Sequence, residues 1–377
     1  MIWIFIYVSY LILFMYAVTQ LLWSVHWLLM RRSVPPVSEQ KYYSVIIPYR
    51  NEITHLAQCL ESLVNQEYNP NHFELLFVDD HSTDGITDLV NQLAFSNPHL
   101  NIRNISSQLR GKKNALNTGI ENAVYDHIIT TDADTTRGEY WLRTCNNLLV
   151  ESNSDILVGT VLLLPARENA FHYFQALDYM GLSLITTIAG RSGWFSNGSG
   201  ANLIFRKDIY TTYKANEFNS NITSGDDVFF LESARSQGRK ILYPKENAHI
   251  VFSETEPDWS SLINQRLRWG AKSFSYRSIL IPMLWSLPVI SSMLILLQIM
   301  LNIVFPDINL LRLLLYSVTV KLVADFCLLK VAHDYYKMPK FRFFLVAELY
   351  HLIYLSTLPF YILTGRKFSW KGQKHLK

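Results

Sequence analysis

Leu75-Leu76-Phe77-Val78-Asp79-Asp80 is a short apolar run that stops at two acidic residues, and it sets the pattern for the middle of the chain. Val45-Ile46-Ile47 stops in the same way at Pro48, and Ile128-Ile129-Thr130-Thr131 stops at Asp132. Short apolar runs bounded by turn residues are typical of buried β-strands. The sequence therefore predicts three buried strands, each followed by a polar loop.

Segments with helical spacing separate these strands. Apolar residues recur at helical intervals in residues 56–64, 89–93 and 116–120, and a further short strand is predicted at residues 101–105. The alternation predicts an α/β fold with a mostly parallel sheet and right-handed crossovers. Because ligands of such sheets bind at the carboxyl ends of the strands, the acidic residues that follow them are candidate site residues.

The composition restricts the class of protein. The 377 residues include 34 Lys and Arg against 31 Asp and Glu, a net charge of +3 that argues against a nucleic-acid partner. Hydrophobic residues make up 49% and charged residues 17%, so membrane segments are expected. The three cysteines, Cys59, Cys145 and Cys327, lack the spacing of a zinc site or a disulfide framework, which fits a reducing compartment.

Apolar regions flank the polar middle of the chain. Residues 1–30 contain no Asp, Glu, Lys or Arg, and Arg31 and Arg32 follow directly. A membrane-spanning helix needs about 20 apolar residues, and basic residues favour the cytoplasmic side. Three more hydrophobic segments are predicted at the end of the chain: 279–305, 310–331 and 343–363.

The predicted organisation is a transmembrane anchor at residues 1–30, a cytoplasmic domain at 42–277, a membrane region at 279–363 and a basic tail at 364–377. This describes a multi-pass protein of the inner or plasma membrane. Three spans after the domain would place the basic tail outside, against the positive-inside rule, so one segment is alternatively interfacial or re-entrant. Lys321 and Asp325, four residues apart, either pair with each other, which is favoured, or serve a substrate.

Two carboxylates follow the third strand, at Asp132 and Asp134. In extended backbone such side chains point to one side, where they could share one Mg²⁺ or Mn²⁺. These cations usually complete their shell with water and phosphate oxygens, so a diphosphate is the expected partner. An Asp-X-Asp sequence by itself is more often a solvated loop, but the position after a strand favours the metal site.

Each of three other polar or glycine-containing stretches has two possible interpretations. Asp79 and Asp80 could accept hydrogen bonds from a nucleobase or ribose, or cap the turn at residues 82–85. Lys112 and Lys113, at a predicted helix start, could meet phosphate or form a solvated basic pair. Residues 198–202 could let the backbone approach a ligand, or form a plain glycine turn.

Two further motifs lie closer to the end of the polar region. Asp226 and Asp227 precede a helical segment, so one could cap the helix while the other acts as a general base. Gln265-Arg266-Leu267-Arg268-Trp269 lies just before the second apolar region. This sequence is either an interfacial anchor, or a site where Arg268 stabilises a departing diphosphate and Trp269 stacks on a sugar.

In order and spacing these motifs resemble the membrane-bound, inverting members of glycosyltransferase family 2, which have a GT-A domain. The resemblance covers residues 44–272, and its motifs are VIIPYRNE at 45–52, VDDHSTDG at 78–85, GKKNALN at 111–117, DAD at 132–134, GDD at 225–227 and QRLRW at 265–269. Several motifs in order are far more specific than any one of them.

The resemblance implies a metal-dependent enzyme that moves a sugar from a nucleotide-sugar, most often a UDP-sugar. It assigns nucleotide-sugar binding to Pro48, Tyr49, Glu52, Asp79, Asp80, Lys112, Lys113, Asp132, Gln265 and Trp269. It assigns Mg²⁺ or Mn²⁺ to Asp132 and Asp134, and catalysis to Asp227, Asp226 and Arg268. Asp227 is the implied base, although the family more often has Glu where this chain has Asp226.

The implied acceptor is a membrane lipid or a lipid-linked glycan at the cytoplasmic face, since three or four spans are little protein for a polymer channel. A processive polysaccharide synthase is the alternative within the same family. A catalytically inactive membrane scaffold is the alternative from another class, and the intact acidic motifs argue against it. Apart from the donor, the acceptor and the bilayer, no protein partner is predicted.

Overall fold

The computed structural model describes residues 2–31, 38–194, 196–217, 226–273, 280–338, 341–363, 368–370 and 373–375. The chain divides into two compact units. Unit 1 consists of Met1–Met30, Leu163–Ile188 and Thr255–Lys377. Unit 2 consists of Arg31–Leu162 and Ala189–Glu254.

The helices are α1 (Ile2–Leu29), α2 (Ile53–Val64), α3 (Ile86–Ser96), α4 (Lys112–Asn122), α5 (Trp141–Ser152), α6 (Ala170–Arg191), α7 (Lys207–Glu217), α8 (Asp226–Ser236), α9 (Trp259–Ser273), α10 (Leu280–Val304), α11 (Ile308–Tyr336) and α12 (Phe344–Leu363). The strands are β1 (Tyr43–Tyr49), β2 (Phe73–Asp79), β3 (Asn101–Ser106), β4 (His127–Thr130), β5 (Thr135–Arg137), β6 (Ile156–Val158), β7 (Val161–Leu164), β8 (Leu203–Arg206), β9 (Ile241–Leu242), β10 (Val251–Glu254), β11 (Phe368–Trp370) and β12 (Gln373–His375).

Unit 2 is built on a seven-stranded sheet with the order β3-β2-β1-β4-β8-β6-β9. The pairs β1–β2, β2–β3, β1–β4 and β6–β9 are parallel, whereas β8 runs antiparallel to both β4 and β6. A second sheet has the order β5-β10-β7. The predicted α/β fold with a mostly parallel sheet is therefore confirmed, and the predicted strands match β1, β2, β3 and β4.

Both faces of the large sheet are covered, because alternate residues of a strand point to opposite sides. Val45 and Ile47 pack on one face with α2 and α5, through residues such as Leu60 and Trp141. Ile46 packs on the other face with residues of α4, α7 and α8. This double covering explains why the central strands are continuously apolar rather than alternating.

The three C-terminal hydrophobic segments predicted from the sequence form α10, α11 and α12 in unit 1. Among the described helices, two are long and apolar enough to cross a membrane: α1 over Trp3–Leu29 and α10 over Ser286–Val304. α11 does not meet this requirement because charged residues interrupt it, including Arg312, Lys321 and Asp325. Among the described residues of the three segments, those of α10 alone meet the length and composition of a span, and a multi-pass topology stays a prediction.

Candidate active site

The loops after β1 and β2 are locked together by side chains. Asn51 and His81 adopt left-handed backbone conformations, with φ of 52° and 59°. Asn51 Oδ1 accepts the Thr83 N–H at 2.9 Å, and Asp84 Oδ2 accepts the Ile53 N–H at 3.1 Å. Left-handed non-glycine residues are held only where the surroundings determine them, and they concentrate at functional sites.

Asp79 and Asp80 behave differently although they are neighbours. Asp79 Oδ1 accepts the N–H of Ser82 at 2.8 Å. This hydrogen bond is the turn-capping interaction that the sequence offered as one of two alternatives. Asp80 is 1% exposed, and its Oδ1 accepts the Gly111 N–H at 2.7 Å. Asp80 Oδ2 accepts no hydrogen bond from the described residues and lies 3.8 Å from Arg50 Nη1. Asp80 therefore joins the end of β2 to the start of α4.

The residues assigned around Asp80 differ in exposure. Pro48 and Tyr49 end β1 and are buried, and the Tyr49 hydroxyl donates to Asn104 Oδ1 at 2.9 Å. Burial raises the pKa of Tyr49 to about 12. Glu52 is half-buried before the first turn of α2. Of the three assigned residues in this stretch, Glu52 is therefore the most accessible.

Lys112 links two of the predicted motifs. It is the first residue of α4, and its Nζ donates to Asp132 Oδ1 at 2.6 Å. Lys112 is 43% exposed and Asp132 28% exposed, while Lys113 is half-buried. Because Gly111 bonds Asp80 and Lys112 bonds Asp132, three motifs meet at the carboxyl ends of β2 and β4. We call this group of Asp80, Gly111, Lys112, Asp132 and Asp134 the donor edge.

Asp132 and Asp134 differ from the extended geometry expected from the sequence. Ala133 and Asp134 form a turn, which the Thr135 hydroxyl closes by donating to the Asp132 carbonyl at 2.6 Å. Asp132 is half-buried and Asp134 is exposed. Accessible carboxylate oxygens are the donors that Mg²⁺ or Mn²⁺ prefers, and exposure leaves room for water and phosphate oxygens. The residues present therefore fit a hard divalent cation.

A buried guanidinium, which the sequence reading missed, supports this turn. Arg137 is 6% exposed, and its Nη2 donates to the carbonyl and the hydroxyl of Thr135 at 2.8 Å and 2.7 Å. Burial lowers the pKa of Arg137, while the charges of Cys59, Asp132 and Asp134 act in the opposite direction. The available signal in the sequence was an arginine three residues after the Asp-X-Asp turn.

Asp227 lies in the first turn of α8 and is directed to the loop before β8. Its Oδ2 accepts the Gly200 N–H at 3.2 Å, and its Oδ1 accepts the N–H of Val228 at 2.9 Å. The Gly200 carbonyl accepts the Thr130 hydroxyl at 2.6 Å, at the end of β4. Gly200 thereby connects Asp227 to the strand that leads into Asp132. The Asp226 side chain and Gly225 lie outside the described residues.

The other residues of the glycine-containing stretch have packing roles. A Cβ at Gly198 would lie 2.7 Å from Val158 Cγ1. Asn202 is fully buried and donates to the carbonyls of Thr160 and His249 at 2.9 Å and 2.8 Å. Close approach between protein segments therefore explains Gly198, and Gly200 is the member of the stretch that contacts a predicted site residue.

The QRLRW motif lies on α9 in unit 1. Gln265 Nε2 donates to Glu256 Oε1 at 2.6 Å, and burial raises the pKa of Glu256, an effect that Arg268 and Arg266 oppose. Trp269 is half-buried, and the Arg266 guanidinium carbon lies 4.5 Å from the centroid of its ring. Arg268 is half-buried. Glu256 is a partner of Gln265 that the sequence reading did not name.

Fold and site together define a class of α/β domains that carry acidic residues and a lysine at the carboxyl edge of a mostly parallel sheet. Residues 44–213 match the family described as glycosyl transferase family 2. This match agrees with the resemblance drawn from the motifs and supports a glycosyltransferase family 2 domain in this part of the chain.

Two curated relatives are similar to a longer part of the chain than the family match covers. The chain is 24% identical to glycosyltransferase AglE of Haloferax volcanii over 230 residues, which are 61% of this chain and 72% of AglE. It is 25% identical over 257 residues to the dolichyl N-acetyl-alpha-D-glucosaminyl phosphate 3-beta-D-2,3-diacetamido-2,3-dideoxy-beta-D-glucuronosyltransferase of Methanococcus voltae, covering 66% of this chain and 78% of that enzyme. Both relatives are named as glycosyltransferases.

The fold also matches a solved structure. The mannosyltransferase PcManGT of Pyrobaculum calidifontis, in complex with GDP-Man and Mn²⁺, superposes with a TM-score of 0.55 at 15% identity, covering 94% of this chain and 92% of that chain. The fold of this chain is accordingly GT-A-like.

Proposed function

We propose that this protein is a membrane-bound, inverting glycosyltransferase that moves a sugar from a UDP-sugar to a lipid or lipid-linked acceptor at the cytoplasmic membrane face. The observation that carries the proposal is the donor edge. Two hydrogen bonds, Gly111 N–H to Asp80 and Lys112 to Asp132, bring three separate motifs together at the end of the sheet where ligands of such folds bind.

The donor edge has the groups that a nucleotide-sugar requires. The buried Asp80 carboxylate, with one oxygen that accepts no hydrogen bond from the described residues, suits the N–H of a base. Lys112, in the first turn of α4, offers an ammonium group and a helix N-terminus to phosphate oxygens. Asp132 and Asp134 would hold Mg²⁺ or Mn²⁺, which when bound neutralises negative charge on the diphosphate.

The transfer step follows from Asp227. Its carboxylate takes the proton of the acceptor hydroxyl, whose oxygen then attacks the anomeric carbon as the bond to the diphosphate breaks. This single displacement inverts the anomeric centre. On the basis of the motif alone, Arg268 neutralises charge on the departing diphosphate, and Gln265 and Trp269 assist it. The same motif also assigns Asp226, the other acid of the pair, to catalysis.

The acceptor assignment rests on two observations. One relative is named as a transferase that acts on a dolichyl-linked sugar phosphate. This chain also has two helices, α1 and α10, with the length and composition of membrane spans. A chain that carries such helices as well as a glycosyltransferase domain suits an acceptor that is itself anchored in the bilayer.

The test is release of UDP from a panel of UDP-sugars by detergent-purified protein with Mn²⁺, with and without extracted membrane lipid. Asp134→Asn is the blank, and Asp126→Asn, which changes an exposed acid of unit 2, is the matched control. We expect the wild type and Asp126→Asn to release UDP only when lipid is present, and we expect Asp134→Asn to release none. Release with a growing polymer and no lipid would favour the polysaccharide synthase, and no release from any donor would contradict the proposal.

A further inference from the structure

A chain of charged side chains runs through unit 1 and ends on the helix that carries the QRLRW motif. Arg266 Nη2 of α9 lies 2.7 Å from Asp178 Oδ2 of α6, and Asp178 Oδ1 lies 3.6 Å from His351 Nε2 of α12. His351 Nδ1 is 3.3 Å from Lys321 Nζ of α11. We call the whole series the charge chain; its members are Arg266, Asp178, His351, Lys321, Glu348 and Asp325.

The far end of the charge chain lies between α11, α12 and α1. Lys321 Nζ donates to Glu348 Oε2 at 2.9 Å and also to Asp325. Asp325 in turn accepts the hydroxyl of Tyr16, which belongs to α1. Five helices of unit 1 are thus joined by contacts between polar side chains.

The members of the charge chain are withdrawn from solvent. The side chains of Arg266, Lys321 and Asp325 are 3%, 4% and 6% exposed, and those of Glu348, Asp178 and His351 are 7%, 9% and 19% exposed. Removing charged side chains from water is costly even when they form ion pairs, and a well-packed apolar core would often be equally stable. A series this long therefore calls for a role besides stability.

A metal site is the first alternative. Ligand atoms of Asp325, Glu348 and His351 lie within 4.8 Å of one another, a spacing that could hold an ion. The Lys321 ammonium, however, lies within hydrogen-bond distance of all three side chains. Because the cluster already contains its own cation, we assign it to ion pairing.

The geometry of α9 connects the charge chain to the motif. Successive residues of an α-helix are rotated by about 100°, so Arg266 and Arg268 point about 160° apart, whereas Gln265 and Arg268 share a face. Arg266 points inward to Asp178, with Trp269 beside it on the same face. The direction in which Arg266 is held therefore sets the direction of Gln265 and Arg268.

We propose that Asp178, supported by His351, is a positioning residue for sugar transfer. By holding Arg266 it fixes the rotation of α9 about its axis, and with it the direction of Arg268. The inference rests on the proposed function, because the role of Arg268 in transfer comes from there. It adds that Asp178 of α6 and His351 of α12 act on sugar transfer through the orientation of α9.

The test is a double-mutant cycle of Asp178→Asn with Arg268→Lys, which keeps the charge at position 268. Asp178→Asn is expected to lower kcat about 10- to 100-fold, since small displacements of a catalytic group have effects of this size, with little change in the donor KM. On the Arg268→Lys background the same change is expected to cost less than about 3-fold. An equal loss of kcat on both backgrounds would contradict action through Arg268.

The matched control is Asp334→Asn, which removes an exposed ion pair with Lys330 on α11 and should leave kcat unchanged. His351→Gln leaves Asp178 and Arg266 in place but removes the imidazole that contacts Asp178, Lys321 and Glu348. It should lower kcat in the same way by about 3- to 10-fold, and this variant decides the question if Asp178→Asn does not fold. An unchanged kcat in folded His351→Gln would then contradict the proposal.

Hydrogen exchange of residues 259–273 gives a readout that does not need turnover. Faster exchange of α9 in Asp178→Asn or His351→Gln than in Asp334→Asn is expected. Unchanged exchange would contradict the positioning role whatever the activity, whereas wild-type protein that transfers no sugar would contradict the proposed function.

Discussion

Two lysine–carboxylate contacts in this chain differ mainly in their exposure. Lys112 and Asp132 at the donor edge are 43% and 28% exposed, whereas Lys321 and Glu348 in the charge chain are 4% and 7% exposed. The distances are similar, 2.6 Å and 2.9 Å. An exposed pair contributes little to stability and can exchange its partner for a ligand, whereas a buried pair cannot be broken without leaving a buried charge. The two units thus use the same chemical groups for binding and for structure.

Asp227→Asn is expected to have the largest effect. Loss of the general base should lower kcat by about 10²- to 10⁴-fold, while UDP binding changes little. Steady-state transfer rates together with calorimetric titration of UDP separate the two quantities. Asp126→Asn serves as the exposed control, and a kcat within about 3-fold of wild type in Asp227→Asn would remove Asp227 from its proposed role.

Lys321→Met should mainly affect stability. The change leaves Asp325 and Glu348 buried without their common cation, so a loss of about 3–5 kcal/mol in the free energy of unfolding is expected. Lys330→Met, in an exposed pair on the same helix, should cost less than about 1 kcal/mol. The comparison is made by thermal unfolding of both variants in the same detergent. Similar losses of unfolding free energy in the two variants would contradict the claim that the buried pair matters more for stability than the exposed pair.

His249 gives unit 2 a dependence on pH. Burial lowers its pKa to about 3, so the folded state keeps the imidazole neutral while the unfolded chain binds a proton below about pH 6.5. Protonation of the unfolded chain therefore lowers the free energy of unfolding as the pH falls from 7, by about 2 kcal/mol at pH 5. His249→Gln should therefore lose less stability between pH 7 and pH 5 than His99→Gln, an exposed control. Equal losses in the two variants would contradict the assignment.

Lys112→Met should have the smallest effect on stability and a clear effect on binding. The free energy of unfolding should change by less than about 1 kcal/mol because the pair with Asp132 is partly exposed to solvent. The donor KM should rise by about 10-fold, which is the loss of one charge-assisted phosphate contact. Lys214→Met, in an exposed pair with Glu121, is the control. An unchanged donor KM would place the diphosphate elsewhere.

The sequence predicted most of what local pattern controls. The apolar runs became β1, β2 and β4, and the acids that follow them lie at one edge because parallel strands end together. Lys321 and Asp325 were found because residues four apart on a helix are neighbours, and their ion pair is confirmed.

Contacts between distant segments could not be predicted in this way. Arg266 lies 88 residues after Asp178 and 85 residues before His351, and nothing in the sequence around these three residues links them to one another. The short strands β6 and β8 also lack a sequence signal, because three or four residues become a strand only through pairing with neighbours.

The measurement that tests the central claim most directly is calorimetric titration of the purified protein with UDP, with Mn²⁺ and then with a chelator, in wild type, Asp134→Asn and Asp126→Asn. We expect one UDP per chain, binding that depends on Mn²⁺, and loss of that dependence in Asp134→Asn alone. Absence of UDP binding, or identical binding by wild type and Asp134→Asn, would contradict the assignment of the donor edge as the nucleotide-sugar site.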